Sequence, residues 1–408
     1  MAIPLRILTL FAFALSARAA TCARGETVEI RNRASEPISI EGPCRVIIVG
    51  VTIKGDRAAS PQPQALPPSN KLFADHYTGN GIRIVGAVDV RIADTKLEEI
   101  AGFAVLVSGA RNVRISRVTV RNSGSRNAKG RNNTTGGILL EDGVANFTVE
   151  DSTFENILGN AVWTHSQYGA TRNGPGYIRK NKFSMIGRDA VQIGHARRVV
   201  VVMNTIAEVG YPEDAIDVEG GGTPVGIDTA GDVDETMYAA NVMREINGKC
   251  IDLDGFHHGN VSHNECVNTR AHAFGHFGVV MNNTNPDMQS VGITIEKNKF
   301  DGMRFGGIFI IGAGHLVRDN VLTNLQTARC SDAKPQPGCT HFEGEPDLLR
   351  AGIYFGRRAE RAAATRGNVI EGNRIEGWRM DRVCIAFAPG VKPEENRVAN
   401  NTCRHTQQ

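Results

Sequence analysis

Short segments in which apolar and variable residues alternate recur along the whole chain. They read GIRIVG from Gly81, AVLVSG from Ala104, GILLED from Gly137, AVWTHS from Ala161, AVQIGH from Ala190, AIDVEG from Ala215, CIDLDG from Cys250, GVVMNN from Gly278, GIFIIG from Gly307, GIYFGR from Gly352 and CIAFAP from Cys384. Period-two alternation of this kind predicts short β-strands with one face buried. A second series follows them: NKF, NTI, NVM, NEC, NKF, NVL, NRI and NTC, beginning at Asn181, Asn204, Asn241, Asn264, Asn298, Asn320, Asn373 and Asn401. Their separations of 23, 37, 23, 34, 22, 53 and 28 residues set a base unit of 22 to 23 residues with insertions.

A repeat of that length, made of short strands with Gly and Asn at its corners, predicts the turns of a parallel β-helix. The Leu spacing and helical segment of leucine-rich repeats are missing. Asn at the corners can hydrogen-bond from turn to turn and tolerates left-handed backbone, so the Asn series reads as structural rather than glycan-bearing. Insertions must leave such a stack as loops. They fall at Arg57–Asn80, Arg121–Thr135, Gly220–Ala239, Arg270–Ser290 and Gln326–Arg350. The first suits a linker or an end cap.

Aligning the strands places two columns of side chains on one outer surface. The first runs Arg83, Leu106, Leu139, Trp163, Gln192, Asp217, Asp252, Val280, Phe309, Tyr354, Ala386; the second runs Val85, Ser108, Glu141, His165, Gly194, Glu219, Asp254, Asn282, Ile311, Gly356, Ala388. Stacked neighbours stand about 4.8 Å apart, so Asp217 and Glu219 are expected to face Asp252 and Asp254 across one turn. Carboxylates that close raise one another's pKa, and one protonated acid beside one ionised acid is what glycoside hydrolysis requires. Asp217, Glu219, Asp252, Asp254, His257 and His258 are therefore the candidate catalytic groups. Trp163, His165, Gln192, His195, Asn282, Phe309 and Tyr354, on the flanking turns, are the candidate sugar-binding groups. Trp163 could equally be a ring packed beneath the Arg121–Thr135 loop, and His257 and His258 ordinary turn residues.

Composition narrows the setting. Residues 1–19, with one early Arg, an apolar run and Ala17-Arg18-Ala19, read as a secretory signal peptide, leaving 20–408 as a single β-helix domain. The formal net charge of +3 falls to about +1 without that segment, which argues against nucleic acid or an anionic membrane as partner. All eight cysteines follow the signal, as expected for disulfides in a secreted or periplasmic protein. Cys250 and Cys384 share one repeat position, and Cys266 and Cys403 another, so Cys250–Cys266 and Cys384–Cys403 are expected as equivalent bridges. Cys22–Cys44 and Cys330–Cys339 complete the set.

The repeat from about Ile30 to Cys403 resembles the right-handed parallel β-helix superfamily of polysaccharide-active proteins, which includes pectate lyases and polygalacturonase-type hydrolases. The Asn-Thr-Asp, Asp-Asp, Gly-His-Gly and Arg-Ile-Lys motifs of the hydrolases are not intact, although DAIDVE and CIDLDG similarly place acids on successive turns and Gly194-His195 matches a fragment. The resemblance implies a monomeric all-β solenoid acting on a polysaccharide or oligosaccharide, with no organic cofactor. Three functions stay open. In a glycoside hydrolase, Asp252 or Asp254 is the general acid, and Asp217 or Glu219 activates water or attacks directly. Same-column acids about 5 Å apart suit retention and diagonal pairs about 8 Å apart suit inversion. In a calcium-dependent lyase, Asp217, Glu219, Asp252 and Asp254 hold Ca²⁺, with Lys249, Arg270 or Arg304 as base. In a non-catalytic sugar-binding protein, aromatic platforms carry the affinity.

Overall fold

The structure, a computed structural model, describes residues 20–58, 71–127, 129–132, 134–167, 169–217, 223–284, 288–330, 339 and 344–406. The signal-peptide segment therefore lies outside the described residues. The chain winds through three parallel sheets, one of 14 strands and two of 13. Each circuit contributes one strand to every sheet in turn, and each strand pairs with its counterpart one circuit away. Among the described residues there is no α-helix and no span able to cross a membrane as a helix.

Alternation explains why the strands close around a common core. In Ile82–Val85, Ile82 and Ile84 point inward and are fully buried while Arg83 and Val85 point outward. The inward stack continues through Val107, Leu140, Ile193 and Leu253, all fully buried. A one-residue slip would turn each such set outward, so burial sets the register.

The corner between the second and third sheets carries the Asn series. Asn181, Asn204, Asn241, Asn264, Asn298, Asn320, Asn373 and Asn401 stack in that order, each amide donating to the next residue's Oδ1 at 2.9 to 3.0 Å. The next Oδ1 also accepts the preceding Asn's backbone N–H, as in Asn241 N to Asn264 Oδ1 at 3.0 Å. The left-handed backbone sits one residue earlier than the sequence pattern places it. Lys180, Met203, Ala240, His263 and Lys297 have φ between 51° and 56°, whereas the Asn residues do not adopt positive φ. Asn is selected here for its side chain, which satisfies the corner's buried peptide groups, and not for its tolerance of αL.

All four expected disulfides are present: Cys22–Cys44, Cys250–Cys266, Cys330–Cys339 and Cys384–Cys403. In the first insertion, residues 59–70 lie outside the described set. Its last part, 71–80, is neither linker nor end cap but a strap laid across the outer face of the first sheet.

Candidate active site

The outer column of the first sheet follows the expected order from Arg83 to Tyr354, with one exchange. Gln192 pairs with Asp228, and Ile227 and Ala230 pair with Ile251 and Asp254, so the residue opposite Asp252 is Asp228. Asp217 is not in the sheet. It follows the short turn Glu213–Ala215, where Asn132 Oδ1 accepts its N–H at 3.0 Å and its Oδ2 accepts from Asn127 Nδ2 at 3.0 Å. Glu219 lies outside the described residues, and the place opposite Asp254 belongs to Ala230.

The reason is competition between two similar segments. Both AIDVE and VGIDT alternate, but only the second sits within Val225–Asp234, ten consecutive residues that pair with Lys249–His257. The first is followed by Gly220-Gly221-Gly222-Thr223-Pro224, which cannot continue a ladder. Distance to the Asn series carried the signal. Ile251 precedes Asn264 by 13 residues and Ile227 precedes Asn241 by 14, whereas Ile216 would precede it by 25.

Asp228 and Asp252 are 7% and 5% exposed and share their surroundings with Asp189, Gln192 and Lys249. Asn160 donates to Gln192 Oε1 at 2.7 Å, and Gln192 Nε2 donates to Asp228 Oδ2 at 2.6 Å. Burial, then the charges of Asp189 and Asp252, push Asp228 well above the carboxylate range, against the weaker pull of Gln192 and Lys249. Burial also raises Asp189 to about 6; its Oδ1 accepts the Val225 N–H at 3.0 Å. The Lys249 ammonium donates to Asp252 Oδ2 at 2.5 Å. Burial pulls Lys249 down, but Asp252, Asp228 and Asp189 outweigh it and hold the ammonium charged. Asp252 Oδ1 is buried with no hydrogen-bond partner. His276, pushed by burial and then by Lys249 and Arg304 to about 3, adds a neutral imidazole near Lys249.

Several expected roles change. Asp254 is a loop clamp, its two oxygens accepting Thr284 N and Oγ1 at 2.8 and 2.6 Å; burial, outweighing those bonds, raises its pKa. His257 and His258 sit at the far end of their strand, 3.6 Å from Asp232 and 3.1 Å from Asp234, and not at the acid pair. Trp163 is buried against Phe73 of the strap, with ring centroids 5.1 Å apart, so its face is no sugar platform; His165 meets the same ring at 4.5 Å. His195 lies 6.0 Å from His165 beside Gly231. Phe309 and Tyr354 stack on each other at 6.1 Å and are buried, with Tyr354 donating to Glu345 at 2.8 Å. Asn282, half-buried, pairs in register with Asp254. Of the expected binding groups, Gln192 touches the acid pair directly. Asp228, Asp189 and Lys249 were absent from both sets of candidates.

Two overlapping stretches, residues 17–173 and 80–227, match the family described as "Right handed beta helix region". No curated protein matches the sequence significantly. Among solved structures, the Dettilon tailspike protein (gp208) is similar at 12% identity and a TM-score of 0.48, over 94% of this chain and 62% of the tailspike. The chain thus spans less than two thirds of the tailspike's length. DFA-IIIase from Arthrobacter chlorophenolicus A6, in complex with GF2, is similar at 13% identity and 0.48, over 93% of this chain and 88% of its own. The periplasmic alginate epimerase AlgG follows at 10% and 0.47, over 95% and 76%. Three parallel sheets wound in one solenoid, together with a family match over more than half of the sequence, establish that this chain belongs to the right-handed β-helix family.

Proposed function

We propose that the chain is an exported carbohydrate-active enzyme that hydrolyses glycosidic bonds, with Asp228 as general acid and Asp252 as its ionised partner. One observation carries the reading: two acids stacked on adjacent turns, one pushed towards its neutral form and the other paired with a charged lysine. Asp228 gives its proton to the leaving glycosidic oxygen as the bond to the anomeric carbon breaks. Asp252 attacks that carbon, forming a glycosyl ester. Water, deprotonated by Asp228, then displaces Asp252 and restores both groups. Acids in one column, about 5 Å apart, suit this retaining route. Lys249 supplies counter-charge while Asp252 is ionised, and Gln192 orients the acid through Asn160.

A calcium-dependent lyase is less well supported. The ammonium of Lys249 already occupies a cation position on Asp252, and its raised pKa makes it a poor base. Among the described residues no group of three or more His, Cys, Asp or Glu is arranged to hold a metal ion. The test is incubation with neutral and acidic polysaccharides and their oligosaccharides, with and without chelator. New reducing ends that disappear in Asp228→Asn and Asp252→Asn are expected; unsaturated products abolished by chelator would instead establish the lyase. Binding without cleavage would establish a sugar-binding protein.

A further inference from the structure

Whether a polymer can lie along the outer face of the first sheet depends on what covers it. On the N-terminal side the strap 71–80 crosses that face from edge to edge. Gln167 Nε2 donates to the carbonyl of Lys71 at one edge, and the Tyr77 hydroxyl meets Thr134 Oγ1 at 3.1 Å at the other. Between them Glu141 accepts the N–H groups of Phe73 and Ala74 at 2.9 and 2.7 Å, and Arg83 donates to the Ala74 carbonyl at 3.0 Å. Phe73 and Tyr77 close a separate apolar cluster over Leu106, Leu139 and Trp163, three consecutive turns of the outer column.

The other side is closed too. Tyr354 is bonded to Glu345, and Gln326 donates to the carbonyl of Leu349, which brings the 344–351 segment onto the Phe309 and Tyr354 turns. Between the two covers remain the turns of Gln192, Asp228, Asp252 and Val280, about 14 Å from first to last at about 4.8 Å per turn. Lys249, with its side chain 17% exposed, is the most open member of the acid cluster. The acids thus lie at the base of a short pocket, not along an open trench.

Building on the hydrolase reading, we infer that the strap makes this a chain-end or short-oligosaccharide enzyme, with Phe73 and Glu141 as specificity-determining residues that exclude internal bonds of a polymer. Neither residue touches the acids, so their effect is on which substrates enter. Loosening the strap extends the accessible face over the Trp163 turn and admits polymer.

The experiment compares wild type, Phe73→Ala, Glu141→Gln and Asp228→Asn on dextran, xylan, polygalacturonate and alginate and on two- to six-unit fragments of each. Wild type is expected to favour fragments at least tenfold in kcat/KM and to release small products while polymer length stays nearly constant. Phe73→Ala should raise polymer kcat/KM at least fivefold, change fragment kcat/KM less than twofold and yield internal fragments. Acrylamide quenching of Trp163 in a Trp378→Phe background reports that the strap has lifted; Glu141→Gln, which keeps its shape, guards against a misfolded Phe73→Ala. A broad ladder of internal fragments from wild type at early times, with Asp228→Asn inactive, overturns the inference and leaves the hydrolase reading intact. Product release unchanged in Asp228→Asn overturns the catalytic reading, and this inference with it.

Discussion

The molecule contains two buried columns of polar side chains stacked at one-turn intervals, the Asn ladder and the acid column, and they behave in opposite ways. In the ladder each amide has both donors and an acceptor, so Asn264 accepts from Asn241 and donates to Asn298 and to the Tyr238 carbonyl, and nothing is left over. In the acid column Asp228 and Asp252 are both acceptors when ionised. Stacking them requires a retained proton, the Gln192 amide and the Lys249 ammonium, and still leaves Asp252 Oδ1 unpartnered. The same geometry therefore stabilises the solenoid in one place and creates reactive carboxyls in the other.

The comparison can be broken from either side. Asp252→Asn and Asp228→Asn should each lower hydrolysis by 100-fold or more, the scale of a lost acid or nucleophile, with little loss of thermal stability. An inactive variant that is also strongly unfolded would reduce the acid column to a structural element. Asn264→Leu should do the reverse, costing about 3 kcal/mol in denaturant unfolding because partners on both adjoining turns lose their bonds. Residual activity per folded molecule should stay near wild type.

Lys249→Met sharpens the contrast. Alone it leaves a buried carboxylate without its cation, and a destabilisation of about 3 kcal/mol is expected. Combined with Asp252→Asn it should recover most of that loss, and additive costs in the double variant would contradict a coupled pair. The smallest effect is on pH dependence. Asp228 and Asp189 have folded pKa values above their unfolded ones, so the folded chain retains protons that the unfolded chain has released. Stability should therefore fall as pH rises from about 4 through those raised values, by at most about 1.4 kcal/mol per pH unit for each carboxyl. Asp228→Asn should flatten the slope measured by urea titration, and Asn264→Leu should leave it unchanged.

Legibility in the sequence followed the same division. The ladder was readable because one Asn per turn at a near-constant interval is a local, repeated solution to a corner's hydrogen bonds. The strap was not: Phe73 and Trp163 are 90 residues apart and meet through a loop crossing with no periodicity. Asp252 was found as an outward acid of a strongly alternating strand. Asp228 was missed because AIDVE imitates VGIDT, and local alternation cannot tell a strand from a loop that resembles one.

Alternation, corner residues and paired cysteine positions were enough to determine a parallel solenoid with its circuits and bridges, because each depends on contacts repeated every turn. Which acid faces Asp252, which loops cover the sheet and which carboxyl keeps its proton were decided only in three dimensions. Those properties depend on register across insertions and on burial by distant segments, and neither is encoded in any single repeat.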